Sequence, residues 1–174
     1  MELRQRKQNR LQGYDYSRAG CYFITICAGK RADLFGNIVL CPADNVGRDD
    51  PGAPSVRLSQ YGQIVDKYIS SVQISYENVY VDKYVIMPNH VHLIIRINCL
   101  ENGAPRLSRP TQLIPRVIAA LKRFSNREAG FNMWQTSYHD HIIRNEADYR
   151  RIWEYIDTNP AKWREDCYYE ERKH

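Results

Sequence analysis

The chain has 174 residues, 43% of them hydrophobic, and a formal charge of +5, a size that suits one domain with its own core. Its five cysteines are an odd number without a C-x-x-C pair, which argues against a disulfide framework or a cysteine-rich zinc site. No run approaches the ~18 consecutive apolar residues of a membrane span, so a single cytoplasmic domain over 1–174, with no membrane attachment, is expected.

Taken in chain order, a basic arm over about residues 1–16 comes first. CYFITICA, residues 21–28, is rich in β-branched and aromatic residues and predicts a strand. Residues 41–57 are rich in Gly, Pro and Asp and predict a surface loop. LSQYGQIVDKYISSV, 58–72, spaces Leu58, Tyr61, Ile64, Val65, Tyr68 and Val72 at helical intervals. NVYVDKYVIM, 78–87, and HVHLIIRI, 90–97, are strands joined by a Pro-Asn turn into a hairpin. A second loop over 98–110 leads to a helix in TQLIPRVIAALKRFSNRE, with Ile114, Val117, Ile118, Leu121 and Phe124 on one face and Pro115 in the first turn. TSYHDHIIR, 136–144, gives a fourth strand, and EADYRRIWEYIDTN a final helix ended by Pro160. The order predicts an α+β, ferredoxin-like βαββαβ fold: a four-stranded antiparallel sheet with two helices on one face and an additional C-terminal helix.

Strand alternation gives the first chemical clue. His90, His92, Ile94 and Arg96 share one face, while Val91, Leu93, Ile95 and Ile97 share the other. The second set is expected to meet the helices and the first to lie on an uncovered face. There, two imidazoles about 7 Å apart at the backbone can converge on one divalent ion. Hydrogen-bonded strand-end histidines without a metal are the other reading.

The final helix adds a second clue. Tyr149, Ile152, Trp153 and Ile156 form its apolar stripe, and Tyr155 falls roughly 110° from the centre of that stripe. Asn159, four residues on, shares the face of Tyr155, and its carbonyl oxygen is a hard ligand.

VIMPNHVHLII together with WQTSYHDHIIRNEADYRRIWEYIDTNP closely resembles the single-tyrosine HUH transposases, in their REP-associated tyrosine transposase branch. The resemblance runs from about Tyr14 to Trp163. It implies that His90, His92 and Asn159 bind Mg²⁺ or Mn²⁺, and that Tyr155 attacks a phosphodiester. A 5′-phosphotyrosine and a free 3′-hydroxyl would follow, giving DNA cleavage and strand transfer next to hairpin (REP-like) elements, by a monomer or homodimer.

Charge agrees with a polyanion partner. Residues 1–31 and 104–164 carry +5 each, whereas 32–103 carry −3 and 165–174 carry −2. Arg4, Arg6, Lys7 and Arg10, followed by Tyr14 and Tyr16, combine charge for phosphates with rings for base stacking. Arg116, Lys122, Arg123 and Arg127 are candidates to line the same single-stranded DNA. His139 and His141 form a second H-x-H, read as structural or DNA-facing. Two other classes remain open: a metallohydrolase that activates water, and a non-catalytic DNA-hairpin-binding protein.

Overall fold

The computed structural model describes residues 14–40, 54–99 and 112–169. Its elements are β1 Gly20–Cys27, β2 Gly36–Leu40, β3 Pro54–Leu58, α1 Gln60–Ser70, α2 Val72–Ser75, β4 Val79–Ile86, β5 His90–Ile97, α3 Leu113–Ala129, β6 His139–Ile143 and α4 Glu146–Thr158. The four long-range strands form one antiparallel sheet in the order β4-β5-β1-β6, which is the ferredoxin-like arrangement expected from the sequence.

β5 is interior, hydrogen-bonded to β1 on one side and β4 on the other. Its Val91, Leu93, Ile95 and Ile97, with Tyr22, Ile24 and Ile26 of β1, pack against Val65 and Ile69 of α1 and Ile114, Val117, Ile118 and Leu121 of α3. The opposite face is also covered. Ile152 and Ile156 of α4 close over Ile94, flanked by Phe23, Val85 and Trp153. The face expected to lie uncovered is therefore a second, smaller core. Each fully buried Ile there is worth about 1.5–3 kcal/mol, enough to seat a 13-residue helix.

A bulge in β4 between Val81 and Lys83 adds a further tie. Tyr149 of α4 donates to Asp82 Oδ2 at 3.1 Å, and Arg96 Nε reaches both Asp82 oxygens at 3.0 Å. α4 follows β6 after only Arg144 and Asn145, and the Asn145 side chain caps it by accepting from the Asp148 N–H at 2.8 Å.

Three local expectations are corrected. Residues 54–57, read as loop, belong to β3, which pairs with β2 in a separate two-stranded ribbon; its short segments lack a long alternating pattern. Leu58 ends that strand instead of opening the helix. Ser59 caps α1 by accepting from the N–H groups of Tyr61 and Gly62, and α1 stops at Ser70, leaving Val72 to α2. Phe124, expected on the buried face of α3, is exposed and lies under the Arg123 guanidinium. The arm residues Arg4, Arg6, Lys7 and Arg10, the 41–53 part of the first loop and the 100–110 part of the second lie outside the described residues.

Gly62 is where α1 meets the chain that leads into β2. A Cβ there would collide with the Phe35 carbonyl and press on Leu58, and that carbonyl already accepts the Ser59 N–H at 2.9 Å. Gly62→Ala should lose roughly 1–3 kcal/mol of stability through overpacking, read as a lower urea midpoint at unchanged slope.

Candidate functional site

His90 and His92 stand on the α4 side of β5, opposite Cys27 and Thr25 of β1. Both are buried, at 0% and 1% exposure. Asn89, also buried, fixes the first ring. Its Nδ2 donates to the carbonyls of Arg31 at 3.3 Å and Tyr168 at 2.9 Å. Its oxygen therefore faces His90, whose Nδ1 donates to it at 2.9 Å. That assignment leaves His90 Nε2 a bare lone pair, 2.9 Å from His92 Nε2. His92 Nδ1 lies 2.8 Å from the Thr25 hydroxyl, which can donate or accept and so suits either His92 tautomer.

Burial keeps both rings neutral. It pushes His90 down to about 4, with the Asp166 charge opposing and that of Arg31 adding. His92 falls well below its usual 6.5, first through burial and then through His90.

Tyr155 reaches this pair from α4. It is 37% exposed, its hydroxyl is 3.2 Å from His92 Nε2 and donates to Asp166 Oδ2 at 3.0 Å, and its ring meets Phe23 edge-on at 6.1 Å. Burial, then the Asp166 charge and the hydrogen bond to it, raise the phenol above its usual 10. The hydroxyl therefore keeps its proton at neutral pH.

Asn159, just beyond the last helical residue and 2% exposed, donates Nδ2 to the same Asp166 oxygen at 2.8 Å. Its Oδ1 is buried with no hydrogen-bond partner. Asp166 itself follows the Trp163–Glu165 turn and lies 4.0 Å from His90 Nε2. The ligand atoms of His90, His92 and Asp166 fall within 4.8 Å of one another. Two imidazoles, a carboxylate and an orphaned amide oxygen are a donor set that fits a divalent cation of borderline or hard character.

The structure thus brings four expected residues, His90, His92, Tyr155 and Asn159, around one carboxylate that sequence reasoning missed. Asp166 lies seven residues past Asn159, across a helix end and Pro160, where no periodic rule projects a side chain. Tyr168, whose ring packs 4.6 Å from that of His90, was missed for the same reason.

Other candidates go elsewhere. Tyr16 is 1% exposed in the main core, with Tyr14 packed edge-on against it at 5.1 Å, so the Tyr16 ring is not presented for stacking. Lys122 donates to the backbone carbonyls of Gln135, Thr136 and Ser137 at 2.8, 3.3 and 2.9 Å, where it holds a loop together. Arg116, Arg123 and Arg127 belong to α3, across the sheet from the histidines. They do not converge on the Tyr155 site. His141 bonds Asp148 at 2.7 Å and ties β6 to α4.

A Haemophilus influenzae protein of unstated function is 32% identical over 183 residues, covering 96% of this chain and 94% of its own. The REP-associated tyrosine transposase of Escherichia coli K12 is 32% identical over 82 residues, 47% of this chain and 44% of that one. Among solved structures, a REP-associated tyrosine transposase bound to a REP hairpin aligns with a TM-score of 0.56 at 22% identity, over 94% of this chain and 74% of that chain. No family model matches the sequence. The fold is similar to that of the hairpin-bound solved structure. The chain belongs with the Haemophilus protein to a family like the REP-associated tyrosine transposases, to which it is distantly related.

The buried histidines set a pH dependence. An unfolded chain binds a proton at His90 near pH 6.5, whereas the folded site takes it up only near pH 4. Between these values the unfolded state holds more protons, so stability falls as pH is lowered through that window. Urea unfolding of the metal-free protein should show a decline approaching about 1.4 kcal/mol per pH unit for each such proton. A flat profile between pH 6.5 and 4 would show that the rings are not held neutral.

Proposed function

We propose that the chain is a metal-dependent transposase acting on single-stranded DNA next to a hairpin, with Tyr155 as the nucleophile. The observation that carries this reading is the Tyr155 hydroxyl, 3.2 Å from His92 Nε2 on a partly exposed helix face, beside a cation-competent cluster. The structural relative solved with a REP hairpin supports the choice of DNA.

His90, His92 and Asn159 are the residues that would hold Mg²⁺ or Mn²⁺, with Asp166 beside them. When bound, the ion supplies charge neutralisation at the phosphate. The rest falls to the chain itself. Phe23 and His92 fix the Tyr155 ring, so the phenol oxygen is held at one place while the DNA backbone is brought to it.

A phenol that keeps its proton needs an acceptor during attack. Asp148 is already held by His141 and Arg151, and Asp157 by Lys83, whereas Asp166 accepts the Tyr155 hydroxyl directly. The proton passes to Asp166 as the tyrosine oxygen bonds to phosphorus. The bond from phosphorus to the 3′ oxygen breaks, and that oxygen leaves and takes a proton from water. The 5′ side stays on Tyr155. Attack by another 3′-hydroxyl reverses the same step on a new partner, which gives strand transfer with no net change in the number of phosphodiester bonds.

The test is a denaturing gel with single-stranded DNA from the flanks of the protein's own gene, with Mn²⁺ added. Tyr155→Phe should keep its fold and DNA affinity yet form no covalent adduct. Tyr149→Phe should form it, because that hydroxyl is held by Asp82 and pushed up to about 12 by burial and then by the Asp82 charge. Asn159→Ala should need more Mn²⁺ for the same yield. Cleavage without an adduct would favour the hydrolase reading, and binding without cleavage the hairpin-binding one.

A further inference from the structure

Beside the cluster, β1 runs into the Gly29–Arg31 turn. Here two consecutive residues with full side chains, Lys30 and Arg31, sit at φ +53° and +50°, a region that L-residues other than Asn and Asp seldom enter. The backbone needs this turn. The Ala28 N–H bonds the Asn89 carbonyl at 2.8 Å, the Gly29 N–H bonds the Met133 carbonyl at 2.7 Å, and the Arg31 carbonyl accepts from Asn89 at 3.3 Å. Those contacts use main-chain atoms that glycine would present without strain. What the sequence keeps at both strained positions is an exposed cation.

The position of the second cation is specific. The Arg31 guanidinium lies 5.6 Å from the centre of the Tyr168 ring, and that ring lies 4.6 Å from the His90 ring. One aromatic ring separates the guanidinium from the histidine cluster. The cluster has two neutral imidazoles and the Asp166 carboxylate, so without an ion it offers a phosphodiester no positive charge of its own. Planar guanidinium matches phosphate oxygens in pairs, and strained backbone beside a reacting group is a common way to aim such a side chain.

We propose that Lys30 and Arg31 form a phosphate seat of this site, gripping the backbone of the DNA strand that is led to Tyr155. Arg31 makes the closer contact and Lys30 the outer one. The inference rests on the proposed function for the identity of its ligand, but it concerns binding and not cleavage.

The experiment measures binding of a fluorescein-labelled hairpin oligonucleotide with a single-stranded 5′ flank, taken from DNA beside the protein's own gene, across a salt series without metal. Arg31→Gln should weaken binding about tenfold or more and reduce the slope of log affinity against log salt by about 0.7. Arg31→Lys should restore the slope but not the full affinity, since it keeps the charge and loses the fork. Lys30→Gly, which relieves the backbone, should raise the melting temperature while also lowering the slope. Reduced slopes in a protein that forms no covalent adduct would support the seat and overturn only the tyrosine chemistry. Unchanged affinity and slope in folded Arg31→Gln, or loss of adduct with binding intact, would overturn the seat.

Discussion

The two-residue period of β5 is the constraint on which the rest depends. As an interior strand covered on both faces from His90 to Ile95, it buries whatever its sequence places there. Val91, Leu93, Ile95 and Ile97 satisfy the main core. On the other face the same rule buries two imidazoles beside Ile94. An unpartnered buried polar group costs about 1–3 kcal/mol, so every ring nitrogen needs a contact. Asn89 and Thr25 serve the Nδ1 atoms, while the Nε2 atoms face each other and Tyr155.

From that arrangement the charge state of the site follows. Neutral histidines leave Asp166 as the formal charge of the cluster, and two neighbours, the Tyr155 hydroxyl and the Asn159 amide, donate to the same oxygen of it. Such a centre is electron-rich, largely buried and short of positive charge. It favours a cation at its heart and an anion only where cations flank it, so the histidine pair and the Gly29–Arg31 turn answer two sides of one electrostatic problem.

Patterns with a strict period were legible in the sequence. The alternation in HVHLIIRI paired the histidines correctly, and the helical spacing of Tyr149, Ile152, Trp153 and Ile156 correctly set Tyr155 apart. What periodicity could not supply was the covering of the histidine face, because one amphipathic helix reads the same whichever side of a sheet it lies on. Irregular chain was equally opaque. Asp166 and Tyr168 arrive through a turn after Pro160, and Arg31 through a left-handed one after Gly29. Tyr16 and Lys122 show a different limit: composition marks a ring or a cation, but the fold sets the burial of the one and the backbone-carbonyl contacts of the other.

The join between β6 and α4 has its own consequence. Arg144 and Asn145 together extend no more than about 7 Å, and β6 is bonded in register along β1. A join of that length keeps the start of α4 close to the end of β6, and in the chain described Tyr155 meets the two histidines within one polypeptide.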